Sequence, residues 1–389
     1  MNNLLIEQIK TAFTERFTTQ PSFYFSPGRI NLIGEHIDYN DGFVMPAAIN
    51  KAVYYAVAPN NTDECNFFSI DFNESLSIRL EDIQPKEDWK NYVLSVLNQF
   101  IIAGKKIGGI DCVFAGDIPQ GSGMSSSAAV EGGLAFALND LFDAGYTRKE
   151  LAQLNQRAEH DYPNVKCGIM DQFANMNGKK DAVILLDCRS LEHQYFPIQL
   201  DGYSIVLINS NVHHSLASSA YNKRRSECEE GLLLMGTDSP VRSFRDVTKW
   251  EDLLAYESRM GEEVYMRCLF VVEEIDRTQQ AAKLLQQNDL KGFGQLMYKT
   301  HEGLSKLYQV SCSELDYLVD LTKDNEAVIG SRLMGGGFGG CTINIVAKES
   351  IESFVRTTVA AYKEKFNIDA EAYVVQTDDG TRRIDVQVQ

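Results

Sequence analysis

Several features are absent from this sequence of 389 residues, and each absence excludes a class of protein. No apolar run reaches the roughly 18 to 20 residues that a membrane-spanning helix needs, so we expect no transmembrane segment. The first residues lack the basic start and the small-residue cleavage site of a secretory signal. They instead place Leu5, Ile9 and Phe13 at helical spacing, which predicts an ordinary docked helix.

Paired cysteines are absent as well. The 8 cysteines occur singly, with no CxxC pair and no cysteine or histidine cluster at zinc spacing. This pattern argues against a disulfide framework or a structural zinc site. It favours a location in the reducing cytoplasm. Cys167 is the one thiol that a nucleophilic role would suit, but no sequence signature pairs it with a base, so a buried, inert thiol is favoured.

Positive charge is too scarce for a nucleic-acid-binding surface. The 37 basic residues against 54 acidic ones give a net charge of −17, which repels phosphate backbones and anionic membranes alike. Hydrophobic residues make up 44% and charged residues 23%, the ordinary proportions of a globular protein. We expect packed cores, two or three domains for this length, and neither nucleic acid nor membrane as a partner.

Strand and helix patterns are mixed along the chain, which predicts an α+β fold of two lobes. Residues 110–114 alternate as a strand and precede a glycine-serine loop and an apolar run of helix length. The TRKE segment at Thr147–Glu150 matches a capping box and predicts the start of another helix. A change of composition near Ser190 predicts a boundary between a domain of residues 1–190 and one of residues 191–389.

The glycine-serine loop GSGMSSSA, which begins at Gly121, has the chemistry of a phosphate cradle. Glycines let backbone amides approach an anion, and the start of the following helix adds a partial positive charge. It is not a Walker A loop, because Ser122 stands where that motif requires lysine. The alternative is a tight turn with a serine N-cap.

A second glycine segment, GGGFGG at residues 335–340, satisfies the GxGxxG pattern of dinucleotide-binding folds. Such a fold needs a helix after the glycines, and here a strand pattern follows. The segment therefore favours a glycine-rich turn that closes on another ligand or simply packs tightly.

The loop at Pro27–Asp41 combines charged and apolar residues. It contains Arg29, Glu35, His36 and Asp38, interrupted by isoleucines and leucine that would anchor it. Carboxylates, imidazole and guanidinium facing one pocket suit a polyhydroxylated ligand. A cluster of surface salt bridges is the alternative.

Two further carboxylates occur in apolar surroundings. Glu159 falls on the apolar stripe of its predicted helix and in its last turn, where both desolvation and the helix dipole disfavour a negative charge. A cation is expected to compensate, and Mg²⁺ fits because it binds few carboxylates together with substrate phosphates. Asp171, in CGIMDQF, is a candidate general base, with a helix-capping role as the alternative.

Taken together, these segments resemble galactokinases, which belong to the GHMP superfamily of small-molecule kinases. The resemblance spans nearly the whole chain. It is carried by SPGRINLIGEHIDYNDGFVMP, GDIPQGSGMSSSAAVE and LMGGGFGGCTI, in that order, and by WKNYV and NSNVHHSLASSAYNKRRSECEE. The departures from the family pattern are Ile37 for the usual Thr, Ser26 for Ala and Met124 for Leu.

The resemblance implies a two-lobed GHMP kinase fold with the active site in the cleft between the lobes. The N-terminal lobe would resemble ribosomal protein S5 domain 2, and the C-terminal lobe would be α/β, with the last strand returning to the N-terminal lobe. The implied activity is transfer of the γ-phosphoryl group of MgATP to the C1 hydroxyl of α-D-galactose. Alternatives are a related kinase for N-acetylgalactosamine, arabinose or galacturonate, and a non-catalytic sensor of galactose and ATP.

The resemblance also implies a role for each matching residue. Asp171 would face the C1 hydroxyl, and Arg29 would stabilise the transferring phosphoryl group. The sugar would be held by Glu35, His36, Ile37, Asp38 and Tyr221. The nucleotide would be held by Gly121, Ser122, Gly123, Met124, Ser125, Ser126, Ser127 and Ser69, with Trp89 and Tyr92 nearby. Ser127 and Glu159 would ligate Mg²⁺. A monomer or weak dimer is expected.

Overall fold

The computed structural model describes residues 1–198, 200–212, 217–237 and 241–386. Helices and strands are mixed along these ranges. The helices are α1 Asn3–Arg16, α2 Trp89–Ile102, α3 Ser126–Leu141, α4 Arg148–Asp161, α5 Met170–Asn177, α6 Ala217–Gly236, α7 Glu257–Gln286, α8 Leu290–Lys306, α9 Ser313–Lys323 and α10 Ile351–Phe366. The strands are β1 Ser22–Asn31, β2 Phe43–Val44, β3 Pro46–Pro59, β4 Glu64–Ser69, β5 Glu74–Arg79, β6 Ile110–Gly116, β7 Ala182–Asp187, β8 His193–Pro197, β9 Tyr203–Asn209, β10 Val328–Leu333, β11 Cys341–Ala347, β12 Glu371–Val375 and β13 Arg382–Ile384.

The first lobe is built on a sheet with the strand order β13-β1-β3-β6-β4-β5. Its neighbours pair antiparallel except β4 and β6, which run parallel. Alternation along β1 turns Phe23 and Phe25 toward one apolar cluster, which includes Phe13 of α1, and Tyr24 toward the other. The sheet is therefore covered on both faces, by α1 on one side and by the helices α2–α5 on the other.

In the helical layer next to the glycine-serine loop, α4 begins at a complete side-chain cap. Thr147 and Glu150 form the capping box that the sequence predicts, and α4 runs from there to Asp161. The apolar helix α3 begins at Ser126, directly after the loop that leaves β6. Because α3 is buried on most sides, its small residues allow α4, α5 and the sheet to pack closely around it.

The second lobe holds a four-stranded antiparallel sheet with the order β10-β11-β9-β12. The helices α6–α10 belong to this part of the chain. Helix α7 carries a kink at Gly261, where φ is +71°, a left-handed value that glycine tolerates. A third sheet, β2-β7-β8, completes the fold.

The predicted α+β class is confirmed by these mixed layers. The proposed boundary at Ser190 lies in the turn between β7 and β8, two strands that pair with each other, and the exact division of the chain stays a prediction. The strand β13 pairs with β1, Phe23 opposite Ile384, so a late segment of the chain completes the first sheet. The chain thus leaves the first lobe and returns to it.

All eight cysteines are free thiols. Burial raises the pKa of the Cys167 thiol well above its usual range, so this side chain is protonated at neutral pH. Within the described ranges, every helix is too short or too polar to span a lipid bilayer.

Gly294 of α8 provides a test of how tightly the second lobe is packed. A Cβ at this position would lie 1.9 Å from the carbonyl oxygen of Ile329, a backbone atom that cannot move aside without shifting β10. We expect Gly294→Ala to lower the free energy of unfolding by about 1–3 kcal/mol, the usual cost of overpacking. Urea denaturation measures this difference.

The matched control is Gly236→Ala, also at a helical glycine, where the nearest atom would be the Val241 carbonyl oxygen at an ordinary 3.4 Å. This variant should unfold at nearly the wild-type urea concentration. Equal midpoints for the two variants would contradict the close contact between α8 and β10.

Candidate active site

The phosphate loop, residues 117–125, meets a glycine turn formed by residues 334–340 of the second lobe. A Cβ at Gly123 would lie 3.1 Å from the carbonyl oxygen of Met334, and one at Gly335 would lie 3.2 Å from that of Gly123. Both glycines have positive φ values, +73° and +81°, where other residues are strained. The two glycine motifs therefore form one contact between the lobes, which is the tight packing that the sequence left open.

The end of the phosphate loop turns directly into α3. Ser125 is left-handed, with φ of +59°, and Ser126 and Ser127 form the first turn of the helix. Unpaired backbone amides and the positive end of the helix dipole therefore lie at the loop. Ser122 and Met124 are buried: the Ser122 hydroxyl donates to the Pro119 carbonyl at 2.7 Å, and the Met124 carbonyl accepts the Arg29 amide at 3.1 Å.

Arg29 and Asp171 form a bidentate ion pair beside this loop. Nε and Nη2 of Arg29 donate to the two carboxylate oxygens at 2.8 and 2.9 Å, and Nη1 donates to the Gly123 carbonyl at 2.5 Å. Burial opposes the charge of Arg29, but the neighbouring carboxylates, Asp171 first, outweigh it and raise its pKa. Ser125 also donates to Asp171, at 2.5 Å. The hydrogen bonds therefore fix the orientation of both side chains.

Glu35 lies in the sugar loop, which we define as residues 32–41 between β1 and β2. Its Oε1 accepts the Gly335 amide at 2.8 Å and two nitrogens of Arg332, each at 3.2 Å. Arg332 is fully buried and also donates to the carbonyls of Asn31 and Leu32. The sugar loop is thus attached to β10 and to the glycine turn of the other lobe.

His36 adopts a left-handed conformation with φ of +62°. Its Nε2 lies 3.1 Å from the Gly336 carbonyl and its Nδ1 lies 2.7 Å from the Tyr39 hydroxyl. Since a carbonyl only accepts, the tautomer with the proton on Nε2 satisfies both contacts. Burial lowers the pKa of His36 to about 4, so the ring is neutral at physiological pH. Tyr39 in turn contacts Tyr308, with 2.9 Å between the hydroxyl oxygens.

Asp38 is a second carboxyl group in the sugar loop. Burial, with the nearby charges of Asp171 and Glu35, raises its pKa to about 7. The Met170 amide lies 3.5 Å from its Oδ2, and a Cβ at Gly168 would overlap the carboxyl group at 2.0 Å. Only glycine at position 168 leaves room for this side chain.

These side chains line one small cavity of about 50 Å³. The lining residues are Arg29, Glu35, His36, Asp38, Cys167, Met170, Asp171, Tyr221, Gly335 and Gly336. Tyr221 of α6 packs on His36, with 5.3 Å between ring centres. Ile37 is not part of this lining. Its side chain is fully buried, and a Cβ at Gly42 would touch it at 2.8 Å, so it anchors the loop from behind.

Glu159 lies buried near the start of α3. Burial raises its pKa to about 7, although hydrogen bonds with Ser127, Cys167 and Gln172 oppose the shift. The Gln172 amide donates to its Oε2 at 2.6 Å. Among the residues that the structure describes, no three His, Cys, Asp or Glu side chains converge on one point. One carboxylate and one hydroxyl suit Mg²⁺, which keeps most of its other ligands from water and phosphate.

Ser69 lies at the end of β4, and Trp89 and Tyr92 lie in the first turn of α2. Ser69 ends β4 and is fully buried, and its Oγ has no hydrogen-bond partner. Trp89 donates from Nε1 to Glu74 at 3.2 Å and packs on Phe114. An unpaired buried hydroxyl is unusual, because its desolvation is not offset. The contact of Ser69 with a nucleotide stays a prediction.

Family models match this chain in three places. They are the galactokinase galactose-binding signature at residues 11–59, the GHMP kinase N-terminal domain at 91–179 and the GHMP kinase C-terminal model at 281–364. Galactokinase of Thermotoga petrophila is 39% identical over 92% of this chain and 99% of its own length. The chain belongs to the galactokinase family. Galactokinase of Clostridium beijerinckii is similar at 41% identity over 97% of this chain and 99% of its own length.

One solved galactokinase structure supports the same assignment, and a second solved structure shares the fold. The crystal structure of Lactococcus lactis galactokinase complexed with galactose superposes with a TM-score of 0.94 and 34% identity, covering 97% of this chain and all of that one. The mevalonate kinase of Methanococcus jannaschii shares the fold, with a TM-score of 0.65 at 19% identity over 94% of this chain and all of that one. The predicted two-lobed GHMP kinase fold is confirmed, and the protein is an ATP-dependent phosphotransferase of that superfamily.

Sequence reasoning missed several residues around this galactokinase-like site. Arg332 and Tyr39 border the residues that it identified, and Tyr308 lies behind them. The signal for Arg332 was present, since a charged residue in the apolar strand segment VIGSRL needs a buried partner. Tyr39 lies within the quoted sugar motif but carries no charge to single it out. The predicted segment at residues 209–230 includes residues 213–216, which lie outside the described residues.

Proposed function

We propose that this protein transfers the γ-phosphoryl group of ATP to the C1 hydroxyl of α-D-galactose, giving galactose 1-phosphate and ADP. This is the committing step of galactose breakdown by the Leloir route. The observation that carries the proposal is the Arg29–Asp171 pair, which joins the phosphate loop to the cavity lined by the sugar loop. A phosphoryl donor on one side and a hydroxyl on the other would meet at this pair.

On the sugar side, the cavity offers acceptors and donors of the kind that hold a hexose. Glu35 commits Oε1 to Arg332 and Gly335, which leaves Oε2 for a sugar hydroxyl. Asp38 and the Tyr221 ring complete the set, with His36 beside them. The Lactococcus lactis relative is described in complex with galactose, which supports this sugar for the present chain.

On the nucleotide side, the backbone amides of the phosphate loop and the first turn of α3 would hold the ATP phosphates. Ser69, whose buried hydroxyl has no hydrogen-bond partner, would make a further nucleotide contact. Phosphoryl transfer requires little covalent chemistry from the protein, so alignment and neutralisation of oxygen charge supply most of the rate. Arg29 would stabilise charge on the transferring group while Asp171 receives or aligns the proton of the C1 hydroxyl.

Mg²⁺ fits the donor set formed by Ser127 and Glu159, a hydroxyl and a buried carboxyl group, because the ion takes its other ligands from water and phosphate. When bound, the ion would neutralise charge on the phosphate oxygens of ATP. Glu159 would then be ionised, and Gln172 would keep its carboxylate oriented.

Removing the charge of Glu159 should weaken the binding of Mg²⁺ in a measurable way. We expect Glu159→Gln to raise the Mg²⁺ concentration for half-maximal ADP release by about 10- to 100-fold, since the loss even of a supporting group has that effect. Titration of Mg²⁺ at fixed ATP and galactose measures it. The control is Glu131→Gln, which changes a buried carboxyl group of α3, whereas Glu159 belongs to α4. This control should keep the wild-type Mg²⁺ concentration for half-maximal ADP release. Equal midpoints for Glu159→Gln and wild type would remove Glu159 from the metal site.

The function itself is tested by coupled ADP release with galactose, talose, glucose and N-acetylgalactosamine at equal concentrations. Galactose should give the highest kcat/KM. A higher value for N-acetylgalactosamine would favour a related sugar kinase, because a C2 substituent needs extra space. Binding of galactose and MgATP without any ADP release would favour the sensor. The cytoplasm as location and a monomer or weak dimer as the state in solution are part of the same proposal.

A further inference from the structure

A buried carboxylate of the second lobe holds the backbone of the sugar loop. Glu274 lies in α7, is fully buried, and accepts the backbone amide of Gly34 on Oε1 at 3.0 Å. Gly34 immediately precedes Glu35 and His36, and 240 positions of sequence separate it from Glu274. The contact therefore links the orientation of the sugar loop directly to the helical part of the second lobe.

The conformation of Gly34 explains why the loop is held by its backbone at this point. Its φ is +94°, and a Cβ there would lie 2.6 Å from the Phe43 carbonyl oxygen and 3.1 Å from the Thr278 hydroxyl. No side chain fits, so packing cannot fix this residue. The backbone N–H is the only hydrogen-bond donor that Gly34 has, and it donates to Glu274.

The position of the Glu274 carboxylate is itself fixed from two other directions. The Thr300 hydroxyl of α8 lies 3.0 Å from both of its oxygens, and Arg277 forms an ion pair with Oε2. Arg277 also reaches Glu273, at 3.2 Å. These partners leave the acceptor little freedom to follow the loop if the loop moves.

The energetic cost of burying Glu274 indicates that this carboxylate has a role other than stabilising the core. A buried ion pair recovers its desolvation cost only with good geometry, and apolar residues of similar size often stabilise a core better. Burial raises the pKa of Glu274 even though Arg277 and Thr300 favour the charged form. A polar group in so costly a place is better explained by the contact it makes with Gly34 than by stability.

We propose that Glu274 is a positioning residue for galactose binding, which holds the Gly34 amide so that Glu35 and His36 face the sugar cavity. This inference rests on the proposed function, because it assigns the sugar loop its ligand. Glu274 touches no substrate. Its effect reaches the sugar through the backbone of Gly34, whereas the proposed nucleotide contacts lie in the phosphate loop, a separate segment of the chain.

Steady-state kinetics of Glu274→Ala with separate titration of galactose and ATP test the proposal. We expect the KM for galactose to rise about 10-fold or more, as for the loss of a hydrogen bond to a charged group, with the KM for ATP within about 2-fold. Glu274→Gln should recover most of the galactose affinity, because an amide oxygen still accepts from Gly34. Glu274→Asp, which keeps the charge but is one methylene too short, should resemble Glu274→Ala and replaces it if that variant does not fold.

Arg277→Met is the matched control, since it removes the ion pair of Glu274 and leaves the Gly34 contact in place. It should lower Tm but keep the wild-type KM for galactose. The proposal is overturned if Glu274→Ala and Glu274→Asp keep the wild-type KM, or if Arg277→Met raises it equally. Hydrogen exchange of residues 32–41 tests the contact between Gly34 and Glu274 separately from the proposed activity. Faster exchange in Glu274→Ala supports the contact even if the wild type released no ADP with galactose, an outcome that would reject the function alone.

Discussion

Replacing Asp171 by Asn is expected to lower kcat by about 10²- to 10⁴-fold, the range of general acid and base contributions, while the KM for galactose stays nearly constant. The amide keeps the size of the side chain, and its one oxygen, in the place of Oδ2, can still accept from Nη2 of Arg29 and from Ser125. It loses the ability to take a proton and the negative charge that aligns the hydroxyl. Initial rates of ADP release at saturating ATP give both parameters.

Two comparisons make this result specific. Asp161→Asn changes a carboxylate at the end of the neighbouring helix α4, where it accepts from Asn98 at 3.0 Å, and should leave kcat unchanged. A thermal midpoint close to that of the wild type would show that Asp171→Asn keeps its fold. Full activity in Asp171→Asn would reject the catalytic assignment, and a large rise in the KM with normal kcat would make Asp171 a binding residue instead.

Arg332→Met is expected to have the largest effect on stability. The guanidinium is fully buried, pairs with Glu35 and donates to three backbone carbonyls on two chain segments. Its removal leaves the Glu35 carboxylate buried and without its cationic partner. We expect the free energy of unfolding to fall by about 3–5 kcal/mol, as for other broken buried ion pairs. Urea unfolding of the protein without ligands measures this loss.

The double variant Glu35→Gln with Arg332→Met separates the lost charge pair from the lost backbone contacts. Removing the second charge should restore part of the stability, because no buried carboxylate is left unpaired. Galactose turnover should stay low in this double variant, since Glu35 is also a proposed sugar ligand. A loss below about 1 kcal/mol in Arg332→Met would place this pair among the weak surface contacts and contradict its burial.

The sequence allows prediction of those parts of the site that depend on neighbouring residues. The capping box of Thr147 and Glu150, the loop that ends at Ser125, and the glycine turn between two strands all follow from local spacing. Glycine, serine and turn chemistry act within a few residues, so the segment itself carries the information. The fold and the family could be predicted for a similar reason, because the motifs that carry the resemblance are local segments in a fixed order along the chain.

What the sequence does not allow is prediction of contacts between distant segments. Arg332 and Glu35 are 297 positions apart, and neither segment contains a pattern that predicts their pairing. Ser26, the departure from the usual Ala, gains a partner only in three dimensions, where Asn175 donates to its hydroxyl at 3.0 Å and Thr381 lies 3.2 Å away. Ile37, which the resemblance places among the sugar-binding residues, is fully buried, as expected for one of the apolar residues that anchor the loop.

The pairing of β13 with β1 has a consequence for how the protein is made. A ribosome must synthesise residues 22–116 and then more than two hundred further residues before Arg382–Ile384 can complete the first sheet. Until then β1 is an exposed strand edge, the kind of surface that joins other chains and causes aggregation. Nascent chains of this protein should therefore depend on chaperones longer than chains whose first sheet closes early, and losing the last strand should harm a lobe made at the start of translation.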